Sequence, residues 1–442
     1  MSRTLRGAMA ACALLVPSTG AAGAAEPAGP RATEISYYYD CLRHLLARPI
    51  ARKLDLGRGV RRLSGNPRQA ANVDEDDQVR LPSTWWTPRL AFRPVTVDQM
   101  LQGPGPGTGP APGKLVVLRA KTQGVTPGFF VKDTSGVRFL LKFDPPELAE
   151  MATGADVVGA YLYWAAGYNV ADNSVFAFTA DDLELPSEAT VVDERGNRRP
   201  MDRAYLLRVL EHVPRGADGR YRAVASRVLS GRPLGPFQYT GRRRDDPEDL
   251  IPHQHRRELR GLWAMAAWTN HIDVRGPNSL DMWVTENGRS FVRHHLIDFG
   301  ACFGSGSIIK REYLAGSEYF LDYGVIGRQL VTLGLRPFPW ERAVDPDLPS
   351  IGFIDSETFD AGSWRPEYPN PAFDERTERD IRWGARIVAA FTDEHIHAAV
   401  ARARYSDPRA SAYLARVLIE RRDQIARRWQ RAPGTTATGL QP

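Results

Sequence analysis

The 442-residue chain has little cysteine, with three residues, and little lysine, with six against 52 arginines. Three cysteines cannot staple a small scaffold, and a chain this long with 43% apolar residues buries a core without them. No stretch approaches the roughly 18 uninterrupted apolar residues of a membrane-spanning helix. No internal repeat is present. The composition excludes a disulfide-framework miniprotein, a collagen, a coiled coil and a wholly disordered chain. What remains is an ordinary globular make-up, 25% charged and 10% aromatic, long enough for two lobes or two domains. The formal charge of +6 and the pI near 9.2 are modest evidence for anionic ligands and only weak evidence for nucleic acid, which is not expected as a partner. Arginine is used so freely that one Arg says little. A lysine that persists against that bias is informative.

Residues 1–25 have the layout of a secretory signal peptide. Arg3 and Arg6 precede a short apolar run at 8–16, then Pro17 and the small-residue site Ala22-Gly23-Ala24. The expectation is an exported protein, periplasmic or extracellular, with no transmembrane span. Cys41 and Cys302 remain after cleavage, and whether they bridge or stay free is open in the sequence. Residues 26–113 read as an irregular extension in which Trp85-Trp86 packs onto the main body. It closes on GPGPGTGPAPG at 103–113, a Pro/Gly linker in which little can pack.

Beyond the linker the texture changes. Apolar β runs at 115–118, 129–131 and 137–143 are separated by turns, a helix is expected over 146–166, and a strand follows at 174–178. Glu147 and Glu150 are expected in the first turns of that helix, where its dipole favours acids. Further on, 204–212 reads as a helix, 221–229 as a strand or helix, and 242–249 as a charged loop. A long apolar-periodic helix is expected over 255–270. Asn287-Gly288 between β runs at 280–285 and 290–297 marks a hairpin. Residues 375–428 read as largely helical, and 432–442 as a disordered tail.

The segment that carries chemistry is the loop after the long helix, with the end of the hairpin. It reads His271-x-Asp273, then Asn278 five residues after Asp273, and after the hairpin Asp298-Phe299-Gly300. The pattern H-x-D-x-x-x-x-N followed by D-F-G resembles the catalytic and metal-binding loops of the protein-kinase-like superfamily. Ile272 stands where protein kinases carry Arg, the span from Asn278 to Asp298 is long, and no A-P-E motif follows. The resemblance is therefore to the atypical branch, with its HipA-like, lipid-kinase-like and secreted kinases. It covers about 114–320 and implies a two-lobed α+β fold, with a small β-rich lobe at 114–185 and a larger helical lobe at 186–431.

The implied function is transfer of the γ-phosphate of ATP, with Mg²⁺ or Mn²⁺, to a hydroxyl acceptor on a protein, lipid or small molecule. The resemblance gives Asp273 and His271 as the catalytic pair, and Asn278 and Asp298 as hard oxygen ligands for the metal. Lys142, on the third strand, would hold the α/β-phosphates beneath the loop bearing Gly124 and Gly128. Asp156 on the following helix would steady Lys142, with Glu150 as the alternative acid. A pseudokinase that only binds, or an AMP-transferring enzyme on the same groups, is the rival reading.

Other residues have plainer expectations. His253 and His255 lack a third ligand at a metal spacing and are expected as an exposed pair at a helix N-terminus. Strand alternation should place one of His294 and His295 in the core and one in solvent. Asp281 is either a supporting carboxylate or a surface residue. Cys302 is expected buried and inert. The eight arginines among residues 398–428, against three acids, read as a solvated face.

Overall fold

The computed structural model describes residues 29–122, 126–193 and 196–430. The expected leader, the tail at 432–442 and Gly124 lie outside the described residues. The body is the α+β arrangement of a β-rich lobe and a helical lobe that the sequence implied. Ahead of it come short helices: α1 (Tyr37–Leu42), continued through a wider turn at Arg43–Ala47 into α2 (Arg48–Leu54), then α3 (Leu56–Leu63) and α4 (Val97–Gln102). No helix among the described residues is long and apolar enough to cross a membrane.

The β-rich lobe is one sheet of eight strands: β1 (Leu115–Ala120), β2 (Gly128–Lys132), β3 (Arg138–Lys142), β4 (Asn173–Phe178), β5 (Leu183–Glu184), β6 (Thr190–Val192), β7 (Arg198–Pro200) and β8 (Tyr221–Arg227). The order is β4-β8-β3-β2-β1-β6-β7, with β5 beside β1. Three of these strands lie past residue 185, where the lobe was expected to end. β8 inserts between β3 and β4, a non-local pairing that a boundary drawn from local texture does not register. Alternation along β3 sends Phe139 and Leu141 into the lobe's core, with Phe129 and Phe178, and turns Lys142 to the other face.

That other face meets α5 (Met151–Ala165), which is buried on nearly every side. The helix starts later than expected. Pro146–Leu148 form a tight turn, and Glu150 takes a left-handed φ of 70° just before the helix, so neither Glu147 nor Glu150 lies in its first turn. Asp144 serves instead, accepting from the Glu150 and Thr153 amides at 3.0 and 2.9 Å. α6 (Arg203–Glu211) closes the lobe's core with Leu206 and Leu210.

In the helical lobe, β9 (Arg232–Gly235) pairs with the hairpin of β10 (Ser279–Glu286) and β11 (Arg289–Leu296). Asn287 and Gly288 both have positive φ, 52° and 77°, the primed turn that matches strand twist. α7 (Arg257–Thr269) is wholly buried. α8 (Tyr323–Thr332), α9 (Pro371–Asp374), α10 (Glu378–Ala389), α11 (Asp393–Ala401) and α12 (Pro408–Trp429) complete the lobe. Because α7 has no solvent face, its charges are paired. Arg257 and Arg260 both bond Asp380, at 3.0 and 3.3 Å, and Glu258 accepts from Asn72 at 2.5 Å.

The extension is more closely integrated than expected. Trp85 and Trp86 are buried in the main core. Trp86 donates to the Ala166 carbonyl at 2.8 Å, and Trp85 stacks on His294 with ring centroids 3.5 Å apart. The Pro/Gly segment is pinned too. The Gly107 amide donates to Asp172 at 3.2 Å and the Ala111 amide to Asp133 at 2.9 Å. Its backbone groups need partners once covered, and carboxylates of the β-rich lobe supply them.

Candidate active site

Lys142 ends β3 facing α5. Its Nζ forms an ion pair with Asp156 and lies 3.0 Å from Asp298. Burial alone would lower the ammonium's pKa, but Asp156 and Asp298 outweigh it, so Lys142 is held above its usual range. Asp156 is 1% exposed; burial pushes its carboxyl up, against the pull of Lys142. Its other oxygen accepts from the Phe299 amide and from Asn173, both at 3.0 Å. Asp298 is the open end of the trio. Its side chain is 46% exposed, and Lys142 holds it below the usual carboxylate range. Its backbone is left-handed, φ 63°, a conformation that costs a non-glycine residue on the order of 1 kcal/mol and aims this carboxylate outward beside the lysine. Glu150 does not reach Lys142. It lies 3.8 Å from Arg222 and accepts from the Ser406 amide.

The loop between α7 and β10 brings Asp273 and Asn278 together. Asn278 Nδ2 donates to the Asp273 carboxylate and to its carbonyl, both at 2.8 Å, which leaves the amide oxygen as the group able to meet a cation. Arg275 Nε donates to the other Asp273 oxygen at 2.5 Å. The Ile297 amide donates to the Asn278 carbonyl at 3.2 Å, tying this loop to the residue before Asp298.

His271 is buried, and burial drops its pKa to about 4 although Asp273 and Asp298 both pull it up. It is neutral at pH 7 and makes a hydrogen bond with Tyr163 across 3.1 Å. The rings of Tyr163, His271 and Phe299 pack in mutual contact, with centroids 4.7 to 5.7 Å apart. This stack locks α5 to both loops. Expected in the catalytic pair, His271 lies in this stack between the two loops. Gly159 of α5 makes room, since a Cβ there would lie 2.5 Å from Phe299. Gly128 has a similar reason: a Cβ would lie 2.2 Å from the Leu141 carbonyl. It sits in β2 opposite Lys142 rather than in the loop before it.

Three residues escaped the sequence reading. Lys121 follows β1, and its Nζ donates to the Thr126 carbonyl and hydroxyl at 2.7 and 3.0 Å. Burial draws its pKa down to about 8, with Asp298 raising it and Lys142 lowering it. It is one of the six lysines, so its scarcity was a usable signal. Glu367 bonds Arg311 at 3.2 Å, and its carboxyl is pushed up by burial and, against Arg311, by nearby Asp273. No motif announces it, 94 residues after Asp273. Tyr163 was lost within a run of apolar residues.

Other expectations are corrected. His253 and His255 are both buried: His253 bonds Asp249 at 2.8 Å, and His255 lies between Arg68 and Arg260. His294 and His295 are both buried, and Trp85 of the extension stacks on His294. Asp281 is neither supporting nor superficial; it is buried between His294 and Arg243. Cys302 is buried and its thiol pushed up by burial, and both it and Cys41 are free. Among the arginines near the C-terminus, Arg421 is buried and donates to the Ala267 and Trp268 carbonyls. Among the described residues no three His, Cys, Asp or Glu side chains converge as a metal site. A cavity of about 1410 Å³, lined by Trp85, Arg256, Trp283 and His295 among others, touches neither the lysine trio nor the Asp273 loop.

No protein-family model matches the chain, and no curated protein matches it. Among solved structures, the Golgi casein kinase with Mn/ADP bound overlays with a TM-score of 0.28 at 12% identity, covering 74% of this chain and 76% of that one. A second structure of the Golgi casein kinase gives 0.27 and 12%, covering 74% and 77%. Both overlays are loose, and the functional reading rests on the site's own geometry.

Proposed function

We propose that the protein is an atypical kinase, a phosphotransferase that moves the γ-phosphate of ATP to a hydroxyl acceptor. The observation that carries this is the buried Lys142–Asp156 ion pair reaching Asp298 of the D-F-G turn, which lies in a distant part of the chain. A buried lysine with two carboxylates is costly to desolvate. Opening the trio at Asp298 makes it a site prepared for an anion and a cation together. Lys142 would hold nucleotide phosphates as a point charge, with Asp156 keeping it in place. Asp298 and the Asn278 amide oxygen would hold Mg²⁺ or Mn²⁺, phosphate oxygens and water completing its shell. That ion would supply charge neutralisation at the phosphates. Asp273, held by Asn278 and Arg275, would orient the acceptor hydroxyl and take its proton. The supports for catalysis here are positioning and electrostatics.

Incubation with γ-labelled and α-labelled ATP tests the reading. Label transferred from the γ position alone, lost in Asp298→Asn, is the expected result. Transfer from the α position would favour AMP transfer, and nucleotide binding without transfer on any acceptor would favour a pseudokinase.

A further inference from the structure

The helices ahead of the β-rich lobe are packed inside out. Along α1 and α2, Asp40 and His44 are buried, while Tyr39, Leu42, Leu46 and Ile50 face outward on one stripe at helical spacing. α3 repeats the pattern. Its one buried side chain among those described is Arg58, which donates to the Asp374 carbonyl at 2.8 Å and lies 3.1 Å from Glu375, while Leu56, Val60 and Leu63 are exposed, Leu63 by 92%. An amphipathic helix on a water-soluble surface turns its apolar stripe inward. Two successive segments that turn it outward, anchored through charged groups, have their apolar surface reserved for something else.

A second apolar surface is exposed on the helical lobe. On α8 and the turn after it, Ile326, Leu330 and Leu333 are exposed, Leu333 by 82%. Tyr368, beside the Asp273 loop, is touched from the start of each. Exposed Phe320 stacks on Tyr368 with centroids 6.0 Å apart, Cys41 of α1 lies 4.0 Å from the Tyr368 hydroxyl, and the Arg275 guanidinium sits 4.8 Å over the Tyr368 ring.

Charge indicates what covers this face. Residues 37–63 carry seven Arg and Lys against two Asp, a net charge of +5, and +4 once Arg58 is set against Glu375. Two copies of the chain meeting here would oppose like charges. Outward leucines on short helices with an excess of basic residues are the pattern of a segment lying in the headgroup region of an anionic bilayer. We propose that the outward apolar side chains of α1 to α3, with those of α8, dock on an anionic lipid surface and lie in its interface. The proposal goes beyond the phosphotransfer reading and does not depend on it.

Flotation of the full chain with vesicles of phosphatidylcholine, with and without about 30 mol % phosphatidylglycerol, tests it. The expected result is at least ~10-fold stronger binding to the anionic vesicles, weakened by added salt. Leu46→Ser with Ile50→Ser, and Leu330→Ser with Leu333→Ser, should each reduce binding by about tenfold or more. These side chains are exposed, so circular dichroism and nucleotide binding should match the unsubstituted protein. Equal binding to both vesicle types, or binding that neither pair of substitutions changes, would overturn the proposal. So would a dimer by light scattering that the same substitutions dissociate while no vesicles are bound; the covering partner would then be a second copy.

Discussion

At the Lys142 end of the site, α5 and the D-F-G turn enclose an ammonium between two carboxylates, one of them 1% exposed. At the Asp273 end the carboxylate is held by its own loop, through Asn278 and Arg275. The first end is rigid because its charges cannot be left unpaired out of water. The second is fixed in direction and open in approach. Under the proposed function, the closed, charge-matched end would suit a nucleotide that is the same in every turnover, and the open end an acceptor that must enter and leave.

Four measurements would break or sharpen this contrast. The largest effect is expected at the open end: Asp273→Ala should reduce transfer by roughly a thousandfold or more while nucleotide affinity changes by less than about threefold. Isothermal titration beside a transfer assay reads both, and a parallel loss of binding would mean the two ends are not separable. At the closed end, Lys142→Arg retains the charge yet should reduce activity at least roughly tenfold, about 1.4 kcal/mol, because a planar fork cannot replace a point contact between two carboxylates. Asp156→Asn should reproduce part of that loss, and the double variant should be less than additive, strict additivity meaning that the pair does not act as a unit.

The third measurement concerns pH. His255, His271 and His295 are each held near pKa 4 by burial, below the ordinary value of 6.5. Their neutral forms contribute stability that is fully present above pH 6.5. It is lost as pH falls toward 4, because only the unfolded chain gains those protons in that window. Denaturant midpoints should decline across it, and His271→Gln should make the decline shallower. A flat profile would show that the stack does not keep His271 neutral. The smallest effect is expected for Lys121→Met, about threefold weaker nucleotide binding at pH 7. In the unsubstituted protein, affinity should fall as pH rises through about 8, the value to which burial draws Lys121, and the variant should lose that slope.

What could be read from the sequence follows the range of the forces involved. The Asn287-Gly288 hairpin, the strands around Lys142 and the offset of five between Asp273 and Asn278 are governed by turn chemistry and side-chain periodicity within a few residues, and they are found where expected. The ion pair of Lys142 with Asp156 was expected from the kinase-like resemblance and from Asp156's place on the inward side of the helix, ahead of Glu150. The start of α5 was misjudged, since Asp144 outside the helix does the capping. The burial of both strand histidines was misread because alternation gives a strand two faces and cannot say which distant residues, such as Trp85 on His294 more than 200 residues earlier, pack against them.

The sequence by itself determined the local geometry: which residues turn, which alternate, and which carboxylates share a loop. Only the tertiary structure decided that Glu367 and Lys121 stand beside the site, that Tyr163 stacks with His271 and Phe299, that β8 completes the first sheet, and that α1 to α3 present their leucines outward. Each of these depends on which distant surfaces are buried together, and burial is a property of the whole chain that no short window of residues contains.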